Sequence, residues 1–167
     1  GGVDLKTGVY YYSTTQMTAV GGSTASNVHN LYALNLAGQS WYVGTVTTKD
    51  SGQSGDLSFD RDGNMYFVVG NNSTAYVNMY TGHDLPTTPN SVPIAISTED
   101  LNQVGATGNG VGIAYGKDGY LFASNTAGNI FQLDPSTGAL VNQLTGVGGS
   151  GATVDLATCA SPNTLTL

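Results

Sequence analysis

The chain has 167 residues, a formal net charge of −7 and only four Lys and Arg. Four cations cannot track a phosphate backbone, which excludes a nucleic-acid binder, and no apolar run reaches the roughly 18–20 residues that would cross a bilayer as a helix. Charged residues make up 9% of the chain, whereas Gly, Ser, Thr and Asn supply more than two-fifths of it; this favours turns and β-branched strands over long helices.

The predicted elements, in chain order, repeat. The first unit opens with Val3-Asp4-Leu5, a turn at Lys6-Thr7-Gly8, and a strand through Tyr10-Tyr11-Tyr12. It continues with Asn30-Leu31-Tyr32-Ala33-Leu34-Asn35, a turn ending at Gly38, and a strand over Trp41–Val46. Tyr32, Leu34 and Leu36 share one face by alternation. The second unit opens with Leu57-Ser58-Phe59, a turn at Asp60-Arg61-Asp62-Gly63, and a strand through Met65-Tyr66-Phe67. A strand over Ala75–Tyr80 follows, then a loop through Pro86, Pro89 and Pro93 that leads to Ile94-Ala95-Ile96. The third unit opens with Ile113-Ala114-Tyr115 and an Asp118-Gly119 turn. It runs through Ile130-Phe131-Gln132-Leu133, an Asp134-Pro135-Ser136-Thr137-Gly138 turn and a strand over Leu140–Leu144. Pro135 presets φ in that turn and Gly138 tolerates positive φ. A truncated fourth opening lies at Val154-Asp155-Leu156.

The openings at residues 3, 57, 113 and 154 are separated by 54, 56 and 41 residues. Units of this length with about four short strands are blades of a β-propeller; a β-sandwich has similar strands but does not require the same cassette to recur. The expected fold is all-β: about three four-stranded blades plus the leading strand of a fourth. The blades occupy about 1–53, 54–109 and 110–150, with a partial blade at 151–167. Propellers typically close with about 4–8 blades. Three leave broad sheet faces bare, so the chain is expected to be part of a larger propeller or assembly. Gly1 reads as a cut start and Leu165-Thr166-Leu167 as a strand interrupted or meant to add to another sheet.

Residues 31–35 and 130–138 resemble the quinoprotein-like propeller repeat. More narrowly, Phe59-Asp60-Arg61-Asp62-Gly63-Asn64-Met65-Tyr66 and Thr153-Val154-Asp155-Leu156-Ala157-Thr158-Cys159 resemble propeller regions of secreted bacterial surface proteins that precede immunoglobulin-like stalk repeats. The resemblance covers most of 55–162 and, more weakly, 1–46. It implies an extracellular, non-enzymatic module for display, adhesion or scaffolding, associating through open blade edges with other copies or with remaining blades. A carbohydrate-binding propeller is the alternative, and a metal- or quinone-dependent enzyme fragment a third reading.

Candidate sites are sparse. Asp60, Asp62 and Asn64 alternate around Gly63 and offer oxygen ligands for calcium. A calcium loop of the EF-hand kind needs Gly at its sixth position and Glu at its twelfth, and neither is met here; a hairpin turn explains the same residues. His29 and His83 lie far apart, next to turns, and read as surface groups. No Gly-x-Ser-x-Gly elbow occurs, so no catalytic residue is expected. A single Arg and a single Glu leave little with which to hold a quinone, and no cofactor is expected. Cys159, the lone cysteine, is a candidate for an intermolecular bridge. Asn71 and Asn72 head two overlapping glycosylation triplets. The tyrosines suit either sugar or protein recognition, or packing between blades.

Overall fold

Tight turns built on Asn or Asp and closed by Gly decide where the strands begin and end. A computed structural model describes residues 1–15, 26–52, 54–70, 75–104, 110–147 and 156, and these contain strands and turns but no helix. Four turns, Asn35–Gln39, Asp60–Asn64, Gly116–Tyr120 and Asn125–Asn129, share one backbone pattern. The first residue donates its N–H to the fifth carbonyl, and the fourth, always Gly, donates to the first carbonyl, at 2.9–3.2 Å. Where the first residue is Asn or Asp, its Oδ1 also accepts the N–H groups of the third and fifth residues at 2.9–3.1 Å. Such side chains imitate a backbone turn, and the Gly takes the positive φ that other residues resist.

A second turn type occurs twice. Gly8 donates to the Asp4 carbonyl at 2.7 Å and Gly138 to the Asp134 carbonyl at 2.8 Å. Thr7 and Thr137 hydroxyls accept from Val9 and Ala139 N–H. The opening Asp-x-x-Thr-Gly is thus the same device as the later Asp134–Gly138 turn. Asp4 sits at a turn start, as Asp60 does, and Val3 takes the place of Phe59. This moves the expected alignment of the first unit by two residues.

The strands in chain order are β1 (Gly2–Asp4), β2 (Val9–Thr15), β3 (Ser26–Leu34), β4 (Ser40–Gly52), β5 (Ser54–Phe59), β6 (Met65–Gly70), β7 (Ala75–Tyr80), β8 (Ile94–Ser97), β9 (Glu99–Val104), β10 (Gly110–Tyr115), β11 (Leu121–Asn125), β12 (Ile130–Leu133) and β13 (Leu140–Leu144). They form three sheets, ordered β1-β2-β3-β4-β8, β5-β6-β7-β9 and β10-β11-β12-β13. Each is an antiparallel meander, except that β8 runs parallel to β4. Among the described residues the architecture is all-β, and none of the three sheets closes into a barrel.

The sheets stack in chain order. Val9, Tyr11, Leu31, Ala33, Trp41 and Val43 of the first sheet pack on Leu57, Phe59, Met65, Phe67 and Val69 of the second. The other face of the second sheet, through Tyr66, Val68 and Val77, packs on Ile113, Tyr115, Leu121, Ala123, Phe131 and Leu133 of the third. Fully burying one such side chain contributes about 1.5–3 kcal/mol, so these two layers hold the molecule together. The middle sheet is enclosed on both sides, and all six residues of β6 are buried. The leading strands meet in a row, β1 against β5 and β5 against β10, and Ile113 N–H donates to Asp56 Oδ2 across the second contact at 3.3 Å.

Ile94-Ala95-Ile96 does not close the second unit. It crosses to the first sheet as β8, and β9 supplies the fourth strand beside β7. Two features direct the crossing. The Pro86 carbonyl accepts from the Tyr11 hydroxyl at 3.3 Å and the Trp41 indole at 3.2 Å, which fastens the loop to the first sheet. Gly44, at φ 142°, then lets β8 approach: a Cβ there would lie 1.8 Å from the Ile94 carbonyl oxygen. Of the partial unit at 151–167, only Leu156 is among the described residues.

Candidate functional site

Because the first sheet buries Tyr11, Leu31 and Ala33, alternation turns their neighbours to its opposite face. The register pairs Val3 with Tyr10, Tyr10 with Leu34, and Tyr12 with Tyr32 across to Tyr42. The result is a tyrosine ladder. Tyr10 and Tyr12 stack with ring centres 6.1 Å apart, Tyr12 and Tyr32 stack at 5.4 Å, and Tyr42 tilts by 57° against Tyr32 at 5.4 Å. The Tyr42 hydroxyl donates to Asn30 Oδ1 at 3.5 Å. Val3, Tyr10, Leu34 and Tyr42 are each more than a third exposed. Tyr12 and Tyr32 have ring neighbours on both sides, while the edges of the ladder remain open. At the other end of the stack every residue of β13 is exposed, with Leu140, Val141 and Leu144 each about half in solvent.

The candidate calcium residues have turn roles. Besides its two backbone contacts, Asp60 accepts the Asn64 side-chain amide on Oδ2 at 2.6 Å and the Tyr66 hydroxyl at 3.4 Å. Asp62 is exposed at the turn tip. Asp60 and Asn64 thus bond to each other rather than converging on a shared centre, and among the described residues no three His, Cys, Asp or Glu side chains cluster as metal ligands. Cys159, Asn71 and Asn72 lie outside the described residues.

The two histidines differ. His29 is not a surface group: it is buried within β3, 3.4 Å from the Thr48 hydroxyl and with its ring 5.0 Å from that of Phe67. Burial pulls its pKa down to about 4, so it is neutral at pH 7. His83 is exposed and adopts φ 54°. It lines a small cleft with Asp4, Lys6, Thr7, Gly63, Leu85 and Thr87. Asp4 is buried there, but its carboxylate is engaged by the Lys6 N–H at 3.0 Å and the Thr7 hydroxyl at 2.7 Å, which makes it a turn cap.

Other titratable groups are shifted by burial and by local hydrogen bonds. Burial raises the Asp56 carboxyl above its usual range, against the lowering influence of the Gly1 amino group that pairs with it. Tyr66 and Tyr115 meet edge to face across the second and third sheets at 5.4 Å. Burial pushes Tyr66 up to about 12 and Tyr115 higher still, so both remain protonated. At the exposed Asp134 turn, the Ser136 hydroxyl and N–H lower the carboxyl pKa. Sequence reasoning missed the burial of Asp4, Asp56 and His29. Tyr10, Tyr12 and Tyr32 stand out in the sequence, and the Tyr-x-Tyr spacing at 10 and 12 is the available signal, but the pairing of Tyr12 with Tyr32 and of Tyr32 with Tyr42 emerges only from register.

No protein-family model matches the chain, and no curated protein does. Among solved structures, the chain is similar to a protein of unknown function from Bacteroides caccae, at a TM-score of 0.46 and 13% sequence identity; the match covers 72% of this chain and 40% of that one.

Proposed function

We propose that the chain is a non-enzymatic structural or adhesive module of a secreted or surface-exposed protein, working by association through uncovered sheet surfaces. In this reading the three meanders are radially arranged blades of a propeller of the quinoprotein-like kind. Their chain-order stacking and the row formed by β1, β5 and β10 support that arrangement. The observation that carries the function is the contrast between the enclosed middle sheet and the edge strand β13, which leaves Leu140, Val141 and Leu144 in solvent. An exposed apolar edge strand is a template for pairing with another chain. The low charge and the resemblance to secreted surface proteins support an extracellular setting. Against a sugar platform, Tyr12 stacks on both Tyr10 and Tyr32, and Tyr32 has Tyr42 tilted against it.

Native mass spectrometry and light scattering across a concentration series test the reading. Dimers or larger species are expected, and Val141→Lys on β13 is expected to weaken them. A folded chain that stays monomeric at high concentration, or specific capture on a glycan array, overturns it.

A further inference from the structure

We propose that the tyrosine face of the first sheet is a docking surface for a second copy of this chain, which seats the outer face of its third sheet there in head-to-tail order. The inference rests on the association reading above and adds to its β13 edge two defined faces.

The argument comes from the two contacts already inside the molecule. Each places one aromatic side chain from the second strand of a sheet against the last residue of the leading strand of the next. Tyr11 on β2 meets Phe59 on β5 at 5.3 Å, and Tyr66 on β6 meets Tyr115 on β10 at 5.4 Å. The registers make these positions equivalent: Gly2 pairs with Tyr11, Ser58 with Tyr66 and Ala114 with Phe122. Phe122 is therefore the third member of the series Tyr11, Tyr66, Phe122. It lies on the face of the third sheet that no described sheet covers. The receiving series is Phe59, Tyr115 and, at the opposite end of the stack, Val3, which is 46% exposed beside Tyr10.

The third strands agree. Tyr32 on β3 occupies the place of Phe131 on β12, and Leu31 that of Ile130. Phe131 is buried against the preceding sheet and Leu31 against the following one. Tyr32 and Ile130 hold the same two positions at the ends of the stack, and both are only half-buried. A contact between Phe122, Ile130 and Leu144 of one copy and Val3, Tyr10, Tyr12 and Tyr32 of the next therefore continues an interface the chain already makes twice. The two surfaces differ, so the association is heterologous and adds copies in a ring or a line.

Sedimentation velocity and native mass spectrometry of the 167-residue chain test this with two variants, Tyr32→Arg and Phe122→Arg, checked for folding by circular dichroism. Each buries an unpaired cation in every contact, and each alone is expected to weaken association about a hundredfold or more. Mixed together they are expected to form a dimer and stop, since each brings one intact face. Two results overturn the inference while leaving the association reading standing: variants that associate like the parent, or a mixture in which neither partner dimerises while the parent does. A parent chain that never associates overturns both. Should an arginine variant fail to fold, nitration of the unaltered chain gives the answer. Modification of Tyr10 is expected to slow as protein concentration rises, and a rate independent of concentration while the chain associates overturns the inference.

Discussion

Strands β3 and β12 carry matching patterns, Asn30-Leu31-Tyr32-Ala33-Leu34-Asn35 and Asn129-Ile130-Phe131-Gln132-Leu133-Asp134, and bury opposite faces. In β3 the core takes Leu31 and Ala33, and Tyr32 and Leu34 face outward. In β12 it takes Phe131 and Leu133, while Ile130 and Gln132 are half-buried. Both faces of this repeat are built to pack. Which one does so depends on where the neighbouring sheet lies. The first sheet has its neighbour after it, the third before it, and the middle sheet has one on each side.

The most forceful way to break this comparison is truncation at the matched positions. Phe131→Ala is expected to cost about 3–5 kcal/mol. Tyr32→Ala should cost far less in the dissociated chain, as measured by urea unfolding at low concentration. Equal losses would mean that the two faces are equally enclosed and the comparison is false.

Next in size is Gly44→Ala. A Cβ there collides with the Ile94 backbone, so β8 should leave the edge of the first sheet and expose Ile96, which is 2% exposed. The expected loss is about 3 kcal/mol, with faster amide exchange confined to residues 94–97 and their β4 partners. Unchanged exchange would show that β8 is not held by this close approach.

A somewhat smaller effect separates the two histidines. His29 has its pKa lowered by burial to about 4, against an ordinary value of 6.5. Between those values the unfolded chain binds a proton that the folded chain does not. Stability therefore rises with pH over this window and is lost as pH falls from 6.5 toward 4, by about 2–3 kcal/mol. The raised carboxyl of Asp56 acts in the opposite sense, because the folded chain then binds the extra proton. The difference between the parent and His29→Gln isolates the histidine, and parallel pH profiles for the two would refute the assignment.

The smallest effect sharpens the account of the turns. Asn35 accepts two backbone N–H groups and lies in an exposed hairpin. Asn35→Ala is expected to lower stability by about 1 kcal/mol. Asn125 makes the same pair of contacts and is buried, so Asn125→Ala should cost more. Thermal unfolding of both variants ranks them, and the reverse order would show that capping alone does not set the cost.

Local chemistry wrote the turns, the alternation and the spacing of the units directly into the chain, because an Asx-Gly turn or a two-residue period involves residues only a few positions apart. The described strands of the three sheets fall within 2–52, 54–104 and 110–144, apart from β8. Three features needed residues distant in the chain and were not legible there. The burial of His29 depends on Phe67. The departure of Ile94–Ser97 to the first sheet depends on Gly44 and on Tyr11 and Trp41 holding Pro86. The tyrosine ladder depends on the register among β2, β3 and β4. Folding supplied the neighbours, and a repeat with two packable faces becomes core on one side and open surface on the other only when a neighbouring sheet is present to cover it.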